Sequence, residues 1–212
     1  MRILIIENQE EDLRDIVQCL PEAEKNNYES AISVRECEAN SKQYETPKDG
    51  KMIELLITDI LDLENRNQKY DDLIMITTFT ECIKALSRLY KRLQSNLLCD
   101  LIIVTKISAI ELQKYFIRIQ EDIEVKDLFS NDLEDLNDQL TMKNDSPFYL
   151  YMNDRVTIVT KPYQVCGEGK LKIEYTITDW RNEMRSLING IIDSRLQWYK
   201  IYKKCYWCKI PY

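Results

Sequence analysis

The sequence predicts an α/β fold, a five-stranded parallel sheet with helices on both faces, and two observations carry that expectation. Four short segments, 2–6, 53–58, 100–105 and 156–160, are almost unbroken runs of Ile, Leu and Val, the pattern of strands buried on both faces of a parallel sheet. Between them the apolar residues recur at helical spacing, so strand and helix alternate. With 212 residues, 44% of them hydrophobic and 31% charged, the chain suits one well-buried domain with embellishments.

The elements follow in order. "RILII" opens the chain as the first strand. Leu13, Ile16, Val17 and Leu20 then mark a helix. "YESAISV" at 28–34 reads as a more polar strand, suited to a sheet edge. The connection 36–51 is longer and more polar than a compact turn requires, and "ELLITD" supplies the third strand of the chain. After a second polar stretch at 62–72, Phe79, Cys82, Ile83, Leu86, Leu89, Tyr90 and Leu93 form a helical stripe behind threonines able to cap it. The strand at 100–105 precedes a stripe of Leu112, Tyr115, Phe116 and Ile119. Residues 121–155 are too long for a loop and read as an insertion, with a helix expected near 125–141 and the aromatic run "SPFYLYMND" after it. The last strand, 156–160, leads to Trp180, Met184, Leu187, Ile188 and Ile191, a helical stripe expected to reach Trp198. The expected division is a domain over 1–200, carrying the insertion, and a tail over 201–212.

Composition excludes several chemistries. The sequence has no histidine, which removes Ser-His and Cys-His catalysis and any His-ligated zinc site. Its seven cysteines are irregularly spaced, and an odd number without an export signal reads as reduced thiols. The N-terminus enters a strand pattern directly, and no apolar run approaches the ~18–20 residues of a membrane span. A soluble, cytoplasmic protein is the expectation. Charge is uneven: residues 120–138 hold eight acidic side chains and one lysine, whereas Arg195 to the end holds five basic residues, six aromatics and no acid. The two stretches are different surfaces.

In an open parallel sheet, ligands collect beyond the carboxyl ends of the strands. Those ends carry Glu7 and Asn8, then Asp59, then Thr105, then Lys161 followed by Pro162. In this order "ILIIENQEEDL", "LLITD", "IIVT" and "VTKPY" resemble the motifs of the response-regulator receiver domain, the phospho-acceptor half of two-component signalling. The resemblance covers roughly 1–35, 53–61, 79–120 and 156–200. It implies a CheY-like sheet in which Asp59 accepts a phosphoryl group and Mg2+ is held by Glu7, Asn8, Asp59 and the backbone carbonyl of Leu61. It also implies that Lys161 neutralises a phosphate oxygen and Thr105 hydrogen-bonds the acyl phosphate. The physical logic is independent of the family: a carboxylate attacks phosphorus when a hard cation neutralises the phosphate oxygens.

The sequence departs from the pattern at several places. Asn8 stands where an aspartate commonly ligates magnesium, which weakens metal affinity. Lys106 replaces a small residue and either obstructs the phosphoryl group or reaches it. Leu63 replaces a proline after the acceptor, and Ile158 stands where an aromatic switch residue is usual. Each site residue also has a plain alternative: Asp59 as a turn or helix cap, Glu7 and Asn8 as a solvated loop. A haloacid-dehalogenase-like phosphohydrolase would need an aspartate two positions after Asp59, and that residue is Leu61.

Two further features suggest contacts. "CYWC" at 205–208 has the spacing of half a zinc site, with only Cys166 to join it, so packing or partner contact is the simpler reading. The basic aromatic tail suits a protein groove, nucleobases or an anionic surface. The acidic insertion is a solvated excursion or a modified interface. The favoured expectation is a stand-alone receiver signalling to a protein partner, a histidine kinase or a regulatory assembly, with homodimerisation an option and nucleic acid a lesser one. The alternative is a degenerate pseudo-receiver acting without phosphorylation.

Overall fold

The computed structural model describes residues 1–59, 72–94, 99–107, 109–119, 128–129, 148–152, 155–162 and 176–207, without the side chains of 72–76, 109–111 and 198–207. The strands are β1 (Arg2–Ile6), β2 (Tyr28–Ala31), β3 (Ile53–Asp59), β4 (Asp100–Thr105), β5 (Tyr149–Met152) and β6 (Val156–Thr160). The helices are α1 (Glu10–Cys19), α2 (Val34–Ala39), α3 (Lys42–Glu45), α4 (Asp72–Gln94), α5 (Ala109–Ile119) and α6 (Ile177–Trp207). The strands form one sheet in the order β2-β1-β3-β4-β6-β5. Every pairing is parallel except β5 with β6.

The expected five-stranded parallel sheet is thus a mixed, six-stranded one. The additional strand comes from "SPFYLYMND", at the end of the expected insertion. Its link to β6 is residues 153–155, too short for a crossover, which leaves antiparallel pairing as the available geometry. The edge position of β2 agrees with its polar sequence.

Alternation along the central strands divides the core into two layers. Leu4, Ile6, Leu56, Leu101, Ile103 and Ile158 face the layer containing α2, α4 and α5, with Phe79, Ile83, Leu86 and Phe116 fully buried there. Ile3, Ile5, Leu55, Ile57, Ile102, Val104 and Val159 face α1 and α6, against Ile16, Trp180, Met184 and Ile188. β1 and β4 are buried at every residue. Polar chemistry is therefore confined to the strand ends.

The amino ends of the strands are pinned by partly buried charge pairs. At the amino ends, Arg2 donates to Glu29 (2.7 Å) and to the carbonyl of Thr46 (2.7 Å), tying the 36–51 connection beneath β1. That connection is more structured than its polarity suggests: it holds α2 and α3, and Asp49 and Gly50, both at positive φ, turn the chain between Lys48 and Lys51. An Asp-Gly pair suits a turn requiring positive φ at both central residues. Asp100, at the start of β4, accepts from Arg195 Nε of α6 at 2.9 Å.

α6 is 31 residues long, or ~46 Å at ~1.5 Å per residue, and it continues without a break past the expected boundary at residue 200. No helix among the described residues is long and apolar enough to cross a membrane.

Part of the acidic stretch belongs to the core. Leu128 and Phe129 are buried, and Phe129 meets Phe116 and Tyr151 edge-on at ring-centroid distances of 5.1 and 5.8 Å. The helix expected near 125–141 otherwise lies outside the described residues. Phe129→Ala should lower stability by about 3–5 kcal/mol, as deletion of a buried aromatic does, in a urea titration followed by circular dichroism. A loss below about 0.5 kcal/mol, the scale of a surface substitution, would show that this stretch is a solvated excursion.

Candidate functional site

Each expected site residue among the described ones, Glu7, Asn8, Asp59, Thr105 and Lys161, sits at the carboxyl end of a strand. Parallel pairing places the ends of β1, β3, β4 and β6 side by side, with Ile6 opposite Thr58, Asp59 opposite Val104 and Thr105 opposite Thr160. Glu7, Asn8 and Asp59 line one small cleft with Ile6, Ile32, Ser33 and Val34, of about 10 Å³. That volume holds about one water molecule. Glu7 is buried, Asn8 exposed and Asp59 half-buried. The Glu7 backbone N–H donates to the Ala31 carbonyl at 2.9 Å, and its Oε1 accepts from the Gln9 N–H at 2.9 Å. The second bond turns the Glu7 carboxylate towards the start of α1.

Two carboxylates and an amide are hard oxygen donors, and magnesium is content with one or two carboxylates plus water. The donor set therefore fits that ion in chemical type. Among the described residues no group of three or more acidic or cysteine side chains converges on one point. The carbonyl of Leu61 lies outside the described residues, as do Leu63, Cys166 and Cys208.

Thr105 is fully buried, and its Oγ1 accepts the N–H of Ile107 at 3.0 Å. The hydroxyl thus holds the chain that leaves β4. Ile158, where the resemblance leads one to look for an aromatic, is fully buried in the layer of α4 and α5.

Lys161 follows the end of β6 and already has anionic partners. Its N–H donates to the Thr105 carbonyl at 2.8 Å, extending the ladder between β4 and β6. Its ammonium is 5% exposed and lies 2.6 Å from Asp12 Oδ1 and 2.5 Å from Asp15 Oδ2. The same ammonium stands 5.2 Å from the centre of the fully buried Trp180 ring, a cation–π distance. The second oxygen of Asp12 pairs with Lys106, and the second oxygen of Asp15 accepts from Arg181 at 2.5 Å. The result is an alternating chain of charge, Lys106–Asp12–Lys161–Asp15–Arg181, joining the ends of β4 and β6 to α1 and α6.

The sequence reading missed Asp12 and Asp15. The helical stripe chosen for α1 was Leu13, Ile16, Val17 and Leu20. That stripe packs on the core, with Ile16 and Leu20 buried and Leu13 and Val17 partly buried, and Asp12, Asp15 and Cys19 are buried beside it. Their spacing does not distinguish them from the exposed Glu10 and Glu11 of the same helix; burial does, and a buried carboxylate requires a cation.

Burial works to raise the pKa of both aspartates, but the hydrogen bonds and charges of their cations outweigh it. Lys106 and Lys161 hold Asp12 below the ordinary carboxylate value, and Lys161 and Arg181 do the same for Asp15. A depressed pKa means that the charged form is preferred in the folded chain. This stabilisation is present above the unfolded carboxylate value of about 3.9 and is lost as pH falls through the lower folded values.

Compared with known proteins, the chain matches no family model, no curated protein and no solved structure.

The cluster makes a definite prediction. Lys161→Met removes the shared cation and leaves two buried carboxylates with one partner each, so stability at pH 7 should fall by about 3–5 kcal/mol. The variant should also lose less stability than the parent between pH 5 and pH 3, because its aspartates are less depressed. Chemical denaturation at several pH values measures both, and an unchanged acid profile would show that Lys161 does not set these carboxylates.

Proposed function

We propose that the chain is a receiver-type regulatory module whose Asp59 accepts a phosphoryl group with the help of Mg2+ and which signals through protein contacts. The observation that carries this reading is the meeting of Glu7, Asn8 and Asp59 in one cleft at the carboxyl ends of β1 and β3. The fold supports it: without the antiparallel edge strand, the sheet order is β2-β1-β3-β4-β6, the flavodoxin-like arrangement in which ligands bind where the strand order reverses. Here that point lies between β1 and β3, where the cleft opens.

In this reading Glu7 and Asp59 hold the magnesium through carboxylate oxygens and Asn8 adds an uncharged amide. The ion neutralises the phosphate oxygens so that a carboxylate can attack. The phosphodonor's phosphoryl group passes to an Asp59 oxygen as the bond to its leaving group breaks. Thr105, on the neighbouring strand, would donate its hydroxyl hydrogen to the product while its oxygen still accepts the Ile107 N–H, and that pair of bonds would couple chemistry to the chain after β4. The expected partner is a protein, a histidine kinase or a regulatory assembly, and the expected compartment is the cytoplasm.

A second reading keeps the fold without the chemistry: a pseudo-receiver that binds its partner constitutively. Its support is the state of Lys161, whose ammonium is already satisfied by Asp12 and Asp15.

One experiment separates the two. The chain is incubated with magnesium and acetyl phosphate, and the intact mass is followed alongside that of Asp59→Asn. The first reading expects an acid-stable, base-labile gain of one phosphoryl group in the parent and none in the variant. No gain in the parent at millimolar acetyl phosphate, or an equal gain in both, favours the second.

A further inference from the structure

Both lysines at the ends of β4 and β6 converge on one carboxylate. Asp12 sits in the first turn of α1, 7% exposed, with Oδ1 on Lys161 and Oδ2 on Lys106. Its two oxygens are thereby divided between two ammonium groups, as the oxygens of a bound phosphoryl group would be. Asp15 holds Lys161 from the other side and is itself held by Arg181.

By strand alternation Lys161 lies on the same side of the sheet as Val159, Asp59 on the same side as Ile57, and both of these apolar residues face α1 and α6. Nucleophile and lysine thus share one face of the rim, two strands apart, with α1 over that face. A phosphoryl group on Asp59 that is to be neutralised by Lys161 or Lys106 must draw the ammonium from Asp12.

From this arrangement we infer that Asp12 is a built-in competitor of the phosphoryl group, a positioning residue whose carboxylate occupies the two cations that would otherwise stabilise phosphorylated Asp59. The inference rests on the phospho-acceptor reading and concerns the regulation of that site. It also gives the site an output: when the lysines move to the phosphoryl group, Asp12 loses both partners and α1 loses its bonds to the ends of β4 and β6. Phosphorylation is then read at α1 and, through Asp15 and Arg181, at the start of α6. A charge-assisted hydrogen bond is worth more than a neutral one, so removing the competitor changes the balance measurably.

The test compares the full chain with its Asp12→Asn variant in magnesium and acetyl phosphate. The phosphoryl oxygen–phosphorus bond to acetate breaks, one to an Asp59 oxygen forms, and acetate leaves. The expected result is a rate of phosphoryl gain raised about tenfold or more in Asp12→Asn, the scale of one such bond, and abolished in the double variant Asp12→Asn/Asp59→Asn. A rate equal to or below that of the parent overturns the inference and leaves the phospho-acceptor reading standing. No phosphoryl gain in either chain overturns that reading, and the inference with it.

A second measurement needs no variant and covers the case in which Asp12→Asn does not fold. The parent chain, labelled at aspartate carboxyl carbons and lysine Nζ, is titrated with beryllofluoride and magnesium and followed by NMR. Beryllofluoride bound at Asp59 should move the Asp12 carboxyl resonance together with that of Lys106 or Lys161. Binding at Asp59 with the Asp12 resonance unmoved overturns the competitor role, and absence of binding overturns the underlying reading.

Discussion

Burial of the sheet on both faces is the constraint from which the rest follows. β1 and β4 have no exposed residue, and β3 and β6 are nearly as enclosed, so a charged side chain has no place along the middle of these strands. Carboxylates and lysines must emerge where the strands end and the helices begin. The parallel arrangement brings the carboxyl ends of β1, β3, β4 and β6 to one rim. Glu7, Asp59, Thr105 and Lys161 are neighbours because they have nowhere else to be. The same constraint explains why the opposite rim needs its own buried pairs, Arg2 with Glu29 and Arg195 with Asp100.

At the rim formed by the carboxyl ends, the balance of charge decides which side chains pair. An ammonium as buried as that of Lys161 requires counter-charge, and α1 provides two carboxylates. Each aspartate is in turn shared with a second cation, so no member of the Lys106–Asp12–Lys161–Asp15–Arg181 chain is left uncompensated. Such a network is costly to break one member at a time and much less costly to rearrange as a unit. A new anion at Asp59 would enter as a competitor for cations already in use. That is a different starting state from an open site with a waiting lysine, and it links the phospho-acceptor and constitutive readings: they differ in whether an added phosphoryl group can outbid Asp12.

The insertion changes the far side of the sheet. Its final segment becomes β5, which covers the edge of β6, and Phe129 extends the aromatic series of Phe79, Phe116 and Tyr151 beneath it. The surface beside the last parallel strand is therefore built by this chain's own added residues.

The sequence by itself determined the central strands, the edge position of β2, the helical stripes of α4, α5 and α6, and the rim residues Glu7, Asn8, Asp59, Thr105 and Lys161. These were legible because twofold burial leaves unbroken apolar runs, and because the residue after each run is fixed at a strand end by position alone. The antiparallel edge strand and the ion pairing at the rim were not legible. The tertiary structure decided that "YLYM" adds an antiparallel sixth strand, that α1 buries Asp12 and Asp15 beside its apolar stripe, and that Lys161 pairs with those aspartates. The physical reason is that an ion pair between residues 149 positions apart leaves no periodic mark on the chain. Only the packing of α1 over the rim brings the partners within bonding distance, and only burial makes their pairing obligatory.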